Sequence, residues 1–114
     1  MILYGIPNCS TVKKARSWLD ARGTDYAFHD YRKAGADPAK LAQWSKAVGW
    51  EEALLNRRGT TFRRLEEADK ADLDEGRALR LMAAHPSLIR RPVVEYDGGL
   101  LVGFEEGEWQ RALA

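Results

Sequence analysis

The sequence predicts an α/β fold in which a mixed four-stranded sheet is interrupted by a helical insertion between its second and third strands. Three observations lead to this prediction. The chain starts with a strand–helix–strand pattern, its middle (about residues 33–90) has only helical patterns, and it ends with a hairpin and a helix. Because single domains usually have roughly 100–150 residues, we expect residues 1–114 to form one domain.

The first element is a short buried strand at residues 2–5, which Gly5 and Pro7 end. Asn8 is a good N-cap residue, and Val12, Ala15 and Leu19 then share one face of a predicted helix. Gly23 is the expected residue after the helix end. Three aromatic or polar residues alternate with three others over residues 26–31, which predicts the second strand: Tyr26, Phe28 and Asp30 on one side and Ala27, His29 and Tyr31 on the other. Strand, helix and strand with short loops imply two parallel neighbouring strands.

The middle of the chain contains two longer helical patterns. One starts at Asp37-Pro38 and ends at Gly49, and the other starts at Asp74 and ends at His85-Pro86. The basic loop 56–59 lies between them. This stretch is too short to bury a core by itself, so we interpret it as an insertion.

The chain ends with two strands and a helix. Residues 92–96 and 100–102 are strand-like, and Asp97-Gly98 between them is a strong hairpin signal. Residues 105–113 then form the last predicted helix.

Composition excludes several classes of function. Eighteen basic and seventeen acidic residues leave a net charge of +1, which gives no overall attraction to nucleic acid or to an anionic membrane. One cysteine can form neither an internal disulfide nor a thiolate zinc site. We therefore expect a cytoplasmic monomer without a bound metal or cofactor and without nucleic-acid or membrane partners.

The single cysteine, Cys9, is the candidate for chemistry. In the first turn of a helix, unpaired N–H groups and the helix dipole stabilise a thiolate and lower its pKa. Lys13, one turn later, could reach the same charge. The alternative is that Cys9 is a small buried core residue, but the turn-forming residues around it favour a reactive position at the surface. Since Val12 stands where a second cysteine would be needed, a covalent intermediate must be resolved by an external thiol such as glutathione.

Three segments, residues 4–15, 55–61 and 85–92, together resemble the arsenate reductase-like family, most closely its YffB-type members and next the transcriptional regulator Spx. The resemblance implies a thioredoxin-like core carrying a helical insertion. It also implies that a cysteine attacks an oxyanion, that arginines bind the anion, and that glutathione and glutaredoxin complete the reduction.

Carried over to this chain, the resemblance makes Cys9 the nucleophile, with Pro92 as a cis proline facing it. The anion- or glutathione-binding residues would be Ser10, Thr11, Lys13, Arg57, Arg58, Arg91 and Pro92, where either Arg57 or Arg58 faces the site. The chain departs from the reductases in two places. Gly103 stands where they have a third arginine, and Ser10-Thr11-Val12-Lys13 replaces their Gly-Thr-Ser-Arg.

These departures favour thiol chemistry over arsenate reduction. The leading hypothesis is a glutathione-dependent thiol–disulfide oxidoreductase, with glutathione as co-substrate and glutaredoxin as a candidate partner. One alternative is a glutaredoxin-dependent arsenate reductase. The other is an Spx-like regulator that binds RNA polymerase without turnover, although the Cys-x-x-Cys switch of that regulator is missing here.

Overall fold

The computed structural model describes all 114 residues, which form two compact units. The first comprises Met1–Tyr31 and Arg91–Ala114, and the second comprises Arg32–Arg90. The second unit has nearly the bounds of the predicted insertion at 33–90. The prediction of a single domain over 1–114 stays a prediction.

The first unit contains a mixed four-stranded sheet. Its strands are β1 (Ile2–Gly5), β2 (Ala27–Asp30), β3 (Val93–Tyr96) and β4 (Gly99–Val102), in the order β2-β1-β3-β4. Strands β1 and β2 are parallel, whereas β3 is antiparallel to both β1 and β4. The predicted α/β class and four-stranded mixed sheet are therefore confirmed.

Seven α-helices accompany the sheet: α1 (Ser10–Ala21), α2 (Tyr31–Ala34), α3 (Pro38–Val48), α4 (Thr60–Arg64), α5 (Glu67–Lys70), α6 (Glu75–Ala84) and α7 (Glu106–Ala112). A π-helical turn at Trp50–Leu54 and a 3₁₀ turn at Pro86–Leu88 complete the helical elements. No helix is long and apolar enough to cross a membrane.

The core of the first unit joins α1 and α7 to one face of the sheet. Leu3, Val94 and Leu101 are paired across β1, β3 and β4, so they lie in one row on the same face. The buried residues of the two helices that pack on this row are Val12, Ala15, Leu19 and Trp109. The Trp109 indole also donates a 3.0 Å hydrogen bond to the carbonyl of Gly103. This packing fixes α1, and with it the loop that carries Cys9.

The beginning of α1 differs from the sequence prediction. Cys9, rather than Asn8, is the N-cap residue, with extended φ and ψ of −142° and 124°. The helix boundary was wrong by one residue because Asn8 and Cys9 are neighbours and only the backbone of the folded chain decides which one precedes the first helical residue. The far end agrees with the prediction, since α1 ends at Ala21 and Gly23 follows with a φ of 68°.

The second unit is helical, as predicted. Asp37 caps α3 by accepting a 2.9 Å hydrogen bond from the N–H of Ala39, and Gly49 follows the helix with a φ of 87°. Asp74 caps α6 by accepting a 2.8 Å bond from the N–H of Arg77. The strand-like pairing in this unit is one isolated bridge, between residues 55 and 89.

Candidate active site

Three backbone segments of the first unit meet at one edge of the sheet. Gly5, the last residue of β1, pairs with Asp30, the last residue of the parallel strand β2. Strand β3 runs in the opposite direction and begins at Val93, beside Tyr4. The loop that leads from β1 to Cys9, the residue that follows β2 and the residues that precede β3 therefore emerge at the same edge. These are the positions of Cys9, Tyr31 and Arg91.

Cys9 is the N-cap residue of α1, a position from which a side chain can accept hydrogen bonds from the N–H groups of the first helical turn. Its carbonyl already accepts a 2.9 Å hydrogen bond from the N–H of Lys13, while its half-buried side chain forms no capping bond as a thiol. A thiol is a weak acceptor and a thiolate a strong one. The helix start is therefore arranged to favour the charged form.

The pKa of the Cys9 thiol reflects opposing effects. Partial burial raises this pKa, but the N–H of Val12, a hydrogen bond from Arg91, the N–H of Thr11 and the positive charge of Arg91 lower it. The lowering effects outweigh burial, so the pKa lies below the ordinary value of a cysteine. Two helix N–H groups and one guanidinium thus favour the thiolate of Cys9 over the thiol.

Arg91 is held at this edge by the segment that leads into β3. It is half-buried, and the Arg91–Pro92 peptide bond is cis, as predicted. Pro92 is buried, and its carbonyl accepts a 2.8 Å hydrogen bond from the N–H of Gly103, which ties the segment to the end of β4. Because Pro92 and its carbonyl are fixed, the preceding arginine is positioned beside the thiol.

Tyr31 is the residue that the sequence reasoning missed. Its side chain is 1% exposed, and no group of the protein accepts a hydrogen bond from its buried hydroxyl. Burial raises the pKa of Tyr31 above its ordinary value; the positive charge of Arg91 and the approach of its guanidinium to the hydroxyl oxygen oppose this rise, and the charge of Cys9 adds to it. The hydroxyl therefore stays protonated. One signal could have identified Tyr31 from the sequence: it is a residue with a polar hydroxyl directly after β2, at the edge where the loop with Cys9 emerges.

The other predicted residues have different surroundings. Ser10 is the exposed first residue of α1, and Thr11 contributes its backbone N–H rather than its hydroxyl to the thiol environment. The Lys13 side chain is exposed and lines a shallow groove of about 400 Å³ with Trp18 and Phe104.

Arg57 and Arg58 belong to the second unit and are exposed. The Arg57 guanidinium lies 3.9 Å from the carboxylate of Glu51, a contact that contributes little at the surface. The N–H of Arg58 donates a 3.1 Å hydrogen bond to the side chain of Asn56. Their predicted part in anion or glutathione binding stays a prediction.

Gly103 follows β4 with a φ of 76°. This left-handed conformation is unfavourable for an arginine by about 1–2 kcal/mol. The position that the resemblance equates with a third arginine is thus shaped for glycine, and the site has no guanidinium from it.

The chemistry available at the edge is that of a thiolate nucleophile flanked by a guanidinium and a neutral hydroxyl donor. No group of three or more His, Cys, Asp or Glu side chains is placed to hold a metal ion. The histidines are elsewhere: His29 stacks on Tyr4 with ring centroids 4.9 Å apart, and His85 ends α6.

Known proteins are similar to this chain in both sequence and fold. Residues 4–112 match the model of the ArsC family. A solved structure of the YffB protein is 53% identical, with a TM-score of 0.95, covering 99% of this chain and 98% of YffB. An arsenate reductase (ArsC)-related protein from Brucella melitensis is 49% identical, with a TM-score of 0.76, covering 98% of this chain and 92% of that one.

A third relative is described as a regulator. The global transcriptional regulator Spx of Lactiplantibacillus plantarum is 30% identical over 115 residues, which is 99% of this chain and 86% of the regulator. The resemblance seen in the three sequence segments is therefore confirmed over nearly the whole length. The match over residues 4–112, together with the fold shared with these solved structures, shows that the chain belongs to the ArsC family.

Proposed function

We propose that this chain is a glutathione-dependent thiol–disulfide oxidoreductase whose single nucleophile is Cys9. The observation that carries the proposal is the placement of one cysteine at a helix N-terminus beside Arg91, with its pKa lowered by both. Membership of the ArsC family and similarity to an arsenate reductase-related protein support an oxidoreductase. The absence of a second cysteine makes an external thiol necessary.

The reaction has two exchange steps. The Cys9 thiolate attacks one sulfur of a substrate disulfide, so that a bond forms between Cys9 and that sulfur and the other sulfur leaves as a thiolate. A glutathione thiolate then attacks the sulfur that is bonded to Cys9 in the mixed disulfide and releases Cys9 as a thiolate. When the substrate is a glutathione mixed disulfide, the product of the second step is glutathione disulfide. Each turnover then consumes one free glutathione, and the glutathione already carried by the substrate forms the other half of the glutathione disulfide.

The same groups serve both steps. The N–H groups of Val12 and Thr11 stabilise the Cys9 thiolate before attack and when it leaves. The guanidinium of Arg91 adds positive charge, and its planar fork suits a carboxylate of glutathione.

The first experiment measures covalent capture. Reduced protein is mixed with glutathione disulfide and followed by intact mass. We expect one glutathione on each chain, located on Cys9 by peptide mapping and removed by added glutathione. Cys9→Ser is the control that must stay unmodified. An unmodified wild-type protein, or an adduct that glutathione does not remove, would contradict the proposal.

The second experiment tests the arginine. Arg91→Ala should slow mixed-disulfide formation by about 10- to 100-fold, because hydrogen bonds to charged groups contribute about 1.5–3 kcal/mol. Arg64→Ala, which removes an exposed arginine of the second unit, is the matched control and should change the rate less than twofold. Arg57→Ala and Arg58→Ala in the same assay decide which of these arginines contributes. Equal rates for Arg91→Ala and Arg64→Ala would exclude Arg91 from the site.

Arsenate reduction is the second candidate, since the ArsC family match favours it. The thiolate and Arg91 could act on an oxyanion, but Gly103 contributes no charged side chain. Loss of one well-placed donor commonly costs a factor of 10²–10³ in rate, so we expect arsenate turnover with glutathione and glutaredoxin to be slow. Arsenate turnover at tens per second, above the typical enzyme value of about 10 per second, would reverse the order of the two candidates.

The similarity to Spx raises a third candidate, a regulator that acts by binding rather than by turnover. Catalytic turnover with glutathione distinguishes it from the first two. Co-purification with RNA polymerase and no disulfide exchange would favour the regulator.

A further inference from the structure

Tyr31 contributes to the site a buried hydroxyl whose hydrogen no group of the protein accepts. Such a hydrogen is unusual, because burying a polar group has a cost that a hydrogen bond normally offsets. A buried polar group that persists without a partner calls for an explanation, and a catalytic role is one of them. The inference drawn from Tyr31 rests on the proposed function.

The sheet fixes where this hydroxyl lies. Tyr31 directly follows β2, whose last residue pairs with Gly5 at the end of β1. Cys9 lies four residues beyond Gly5, and Arg91 precedes β3 on the other side of β1. Tyr31 and Arg91 therefore flank the Cys9 loop from the two strands that neighbour β1. The charges of both Cys9 and Arg91 act on the tyrosine.

The part of this hydroxyl that remains available to a ligand is its hydrogen. Arg91 has only donors, so any approach of its guanidinium to Tyr31 would use the oxygen of the hydroxyl and leave its hydrogen available. No side chain or carbonyl accepts that hydrogen. What the site lacks is therefore an electron-rich atom, brought by the ligand.

We propose that the Tyr31 hydroxyl donates a hydrogen bond to the outer sulfur of the disulfide that reacts with Cys9. This is the sulfur that leaves as a thiolate when Cys9 attacks and that enters as a thiolate when glutathione resolves the mixed disulfide. The bond between the outer and central sulfurs breaks as the bond from Cys9 to the central sulfur forms, and negative charge grows on the outer sulfur. Tyr31 keeps its proton throughout and stabilises this charge in the transition state.

The exchange reaction is reversible, and this gives a prediction that a purely structural role of Tyr31 would not give. Capture of glutathione disulfide and release by glutathione pass through the same transition state in opposite directions. Tyr31→Phe should therefore slow both by the same factor, about tenfold for one hydrogen bond from a neutral donor to a partly charged sulfur. The equilibrium between thiolate and mixed disulfide should not change, because the hydroxyl is bonded to Cys9 in neither.

The leaving group provides an independent readout. With dipyridyl disulfide, whose leaving sulfur is far less basic, the negative charge is delocalised and the donor matters less. We expect Tyr31→Phe to lower that rate by about twofold or less. Alkylation of Cys9 by iodoacetamide has no outer sulfur and should proceed at the wild-type rate.

Tyr26→Phe is the matched control. Tyr26 precedes β2, at the end of the strand opposite Asp30 and the Cys9 edge. Its hydroxyl already accepts a 3.1 Å hydrogen bond from Arg16, so all rates should stay within twofold of wild type. An equal effect of Tyr31→Phe on both disulfides, or a change in the equilibrium instead of the rates, would overturn the inference. If wild-type protein reacts with dipyridyl disulfide but not with glutathione disulfide, the proposed function fails, and the leaving-group series with other alkyl disulfides still tests Tyr31.

Discussion

Replacing Tyr31 by phenylalanine should stabilise the fold, although it removes a polar group from a buried position. The variant keeps the ring and deletes only the hydroxyl, whose hydrogen has no acceptor in the folded chain. In the unfolded chain this hydroxyl is hydrated, so folding removes its water without replacement. Burying an unsatisfied polar group costs about 1–3 kcal/mol. We therefore expect the free energy of unfolding to rise by about 1 kcal/mol or more.

The size of the change makes it measurable. For 114 residues, an unfolding entropy of roughly 2.1 cal/mol/K per residue gives about 0.24 kcal/mol/K. A stabilisation of about 1 kcal/mol then raises the melting temperature by about 4 °C. Thermal unfolding followed by circular dichroism detects this shift, and urea unfolding gives the corresponding free energy.

Tyr4→Phe is the matched comparison for stability. The Tyr4 hydroxyl donates a 2.7 Å hydrogen bond to Glu95, so its deletion should lower the free energy of unfolding by about 1 kcal/mol. The two Tyr-to-Phe variants thus shift the melting temperature in opposite directions. A decrease of several degrees for Tyr31→Phe would mean that its hydroxyl has a partner within the folded protein. The expected stabilisation would then be refuted, and the proposed donor role would fail if that partner accepts the hydroxyl hydrogen.

Three further results are expected. The alkylation rate of Cys9, measured against pH, should have a midpoint below the value of about 8.5 for free cysteine, and a midpoint at or above it would mean that burial dominates. Because the pKa of Cys9 is lower in the folded chain than in the unfolded one, its charge stabilises the fold fully above the unfolded pKa and progressively less as pH falls through the folded pKa. The difference in unfolding free energy between wild type and Cys9→Ser under reducing conditions should therefore grow as pH rises. A difference that stays constant with pH would contradict this. Gly103→Arg should lower the free energy of unfolding by about 1–2 kcal/mol because of its φ of 76°, and an unchanged urea midpoint would refute that reasoning.

Much of the fold follows from local signals. Asp37 and Asp74 accept hydrogen bonds at the starts of α3 and α6, as N-cap residues should. Asp97 and Gly98 form the tight turn between β3 and β4. Each of these residues acts within a few positions of itself, so the sequence pattern alone contains the information.

The candidate site depends on contacts that are distant in sequence. Tyr31 continues the alternation of β2 and was predicted as a strand residue, but the strand ends at Asp30 and Tyr31 begins the four-residue helix α2. Whether its hydroxyl finds a partner depends on Cys9 and Arg91, which are 22 and 60 residues away. Local periodicity contains no information about such a meeting, which only the pairing of β1 with β2 and β3 produces.

The N-cap position of Cys9 links the stability of α1 to the proposed chemistry. Ser, Thr, Asp or Asn at an N-cap stabilises a helix by about 1 kcal/mol over an apolar residue, and Cys9 as a thiol forms no such bond. As a thiolate it can use the N–H groups of Val12 and Thr11, which is why they lower its pKa. In the proposed reaction a mixed disulfide removes this charge again, so the helix would favour the departure of Cys9 when glutathione attacks. A thiolate of lower pKa is also a weaker intrinsic nucleophile, so the same N–H groups favour release over tight capture. That balance suits the proposed function, in which an external thiol regenerates the single cysteine.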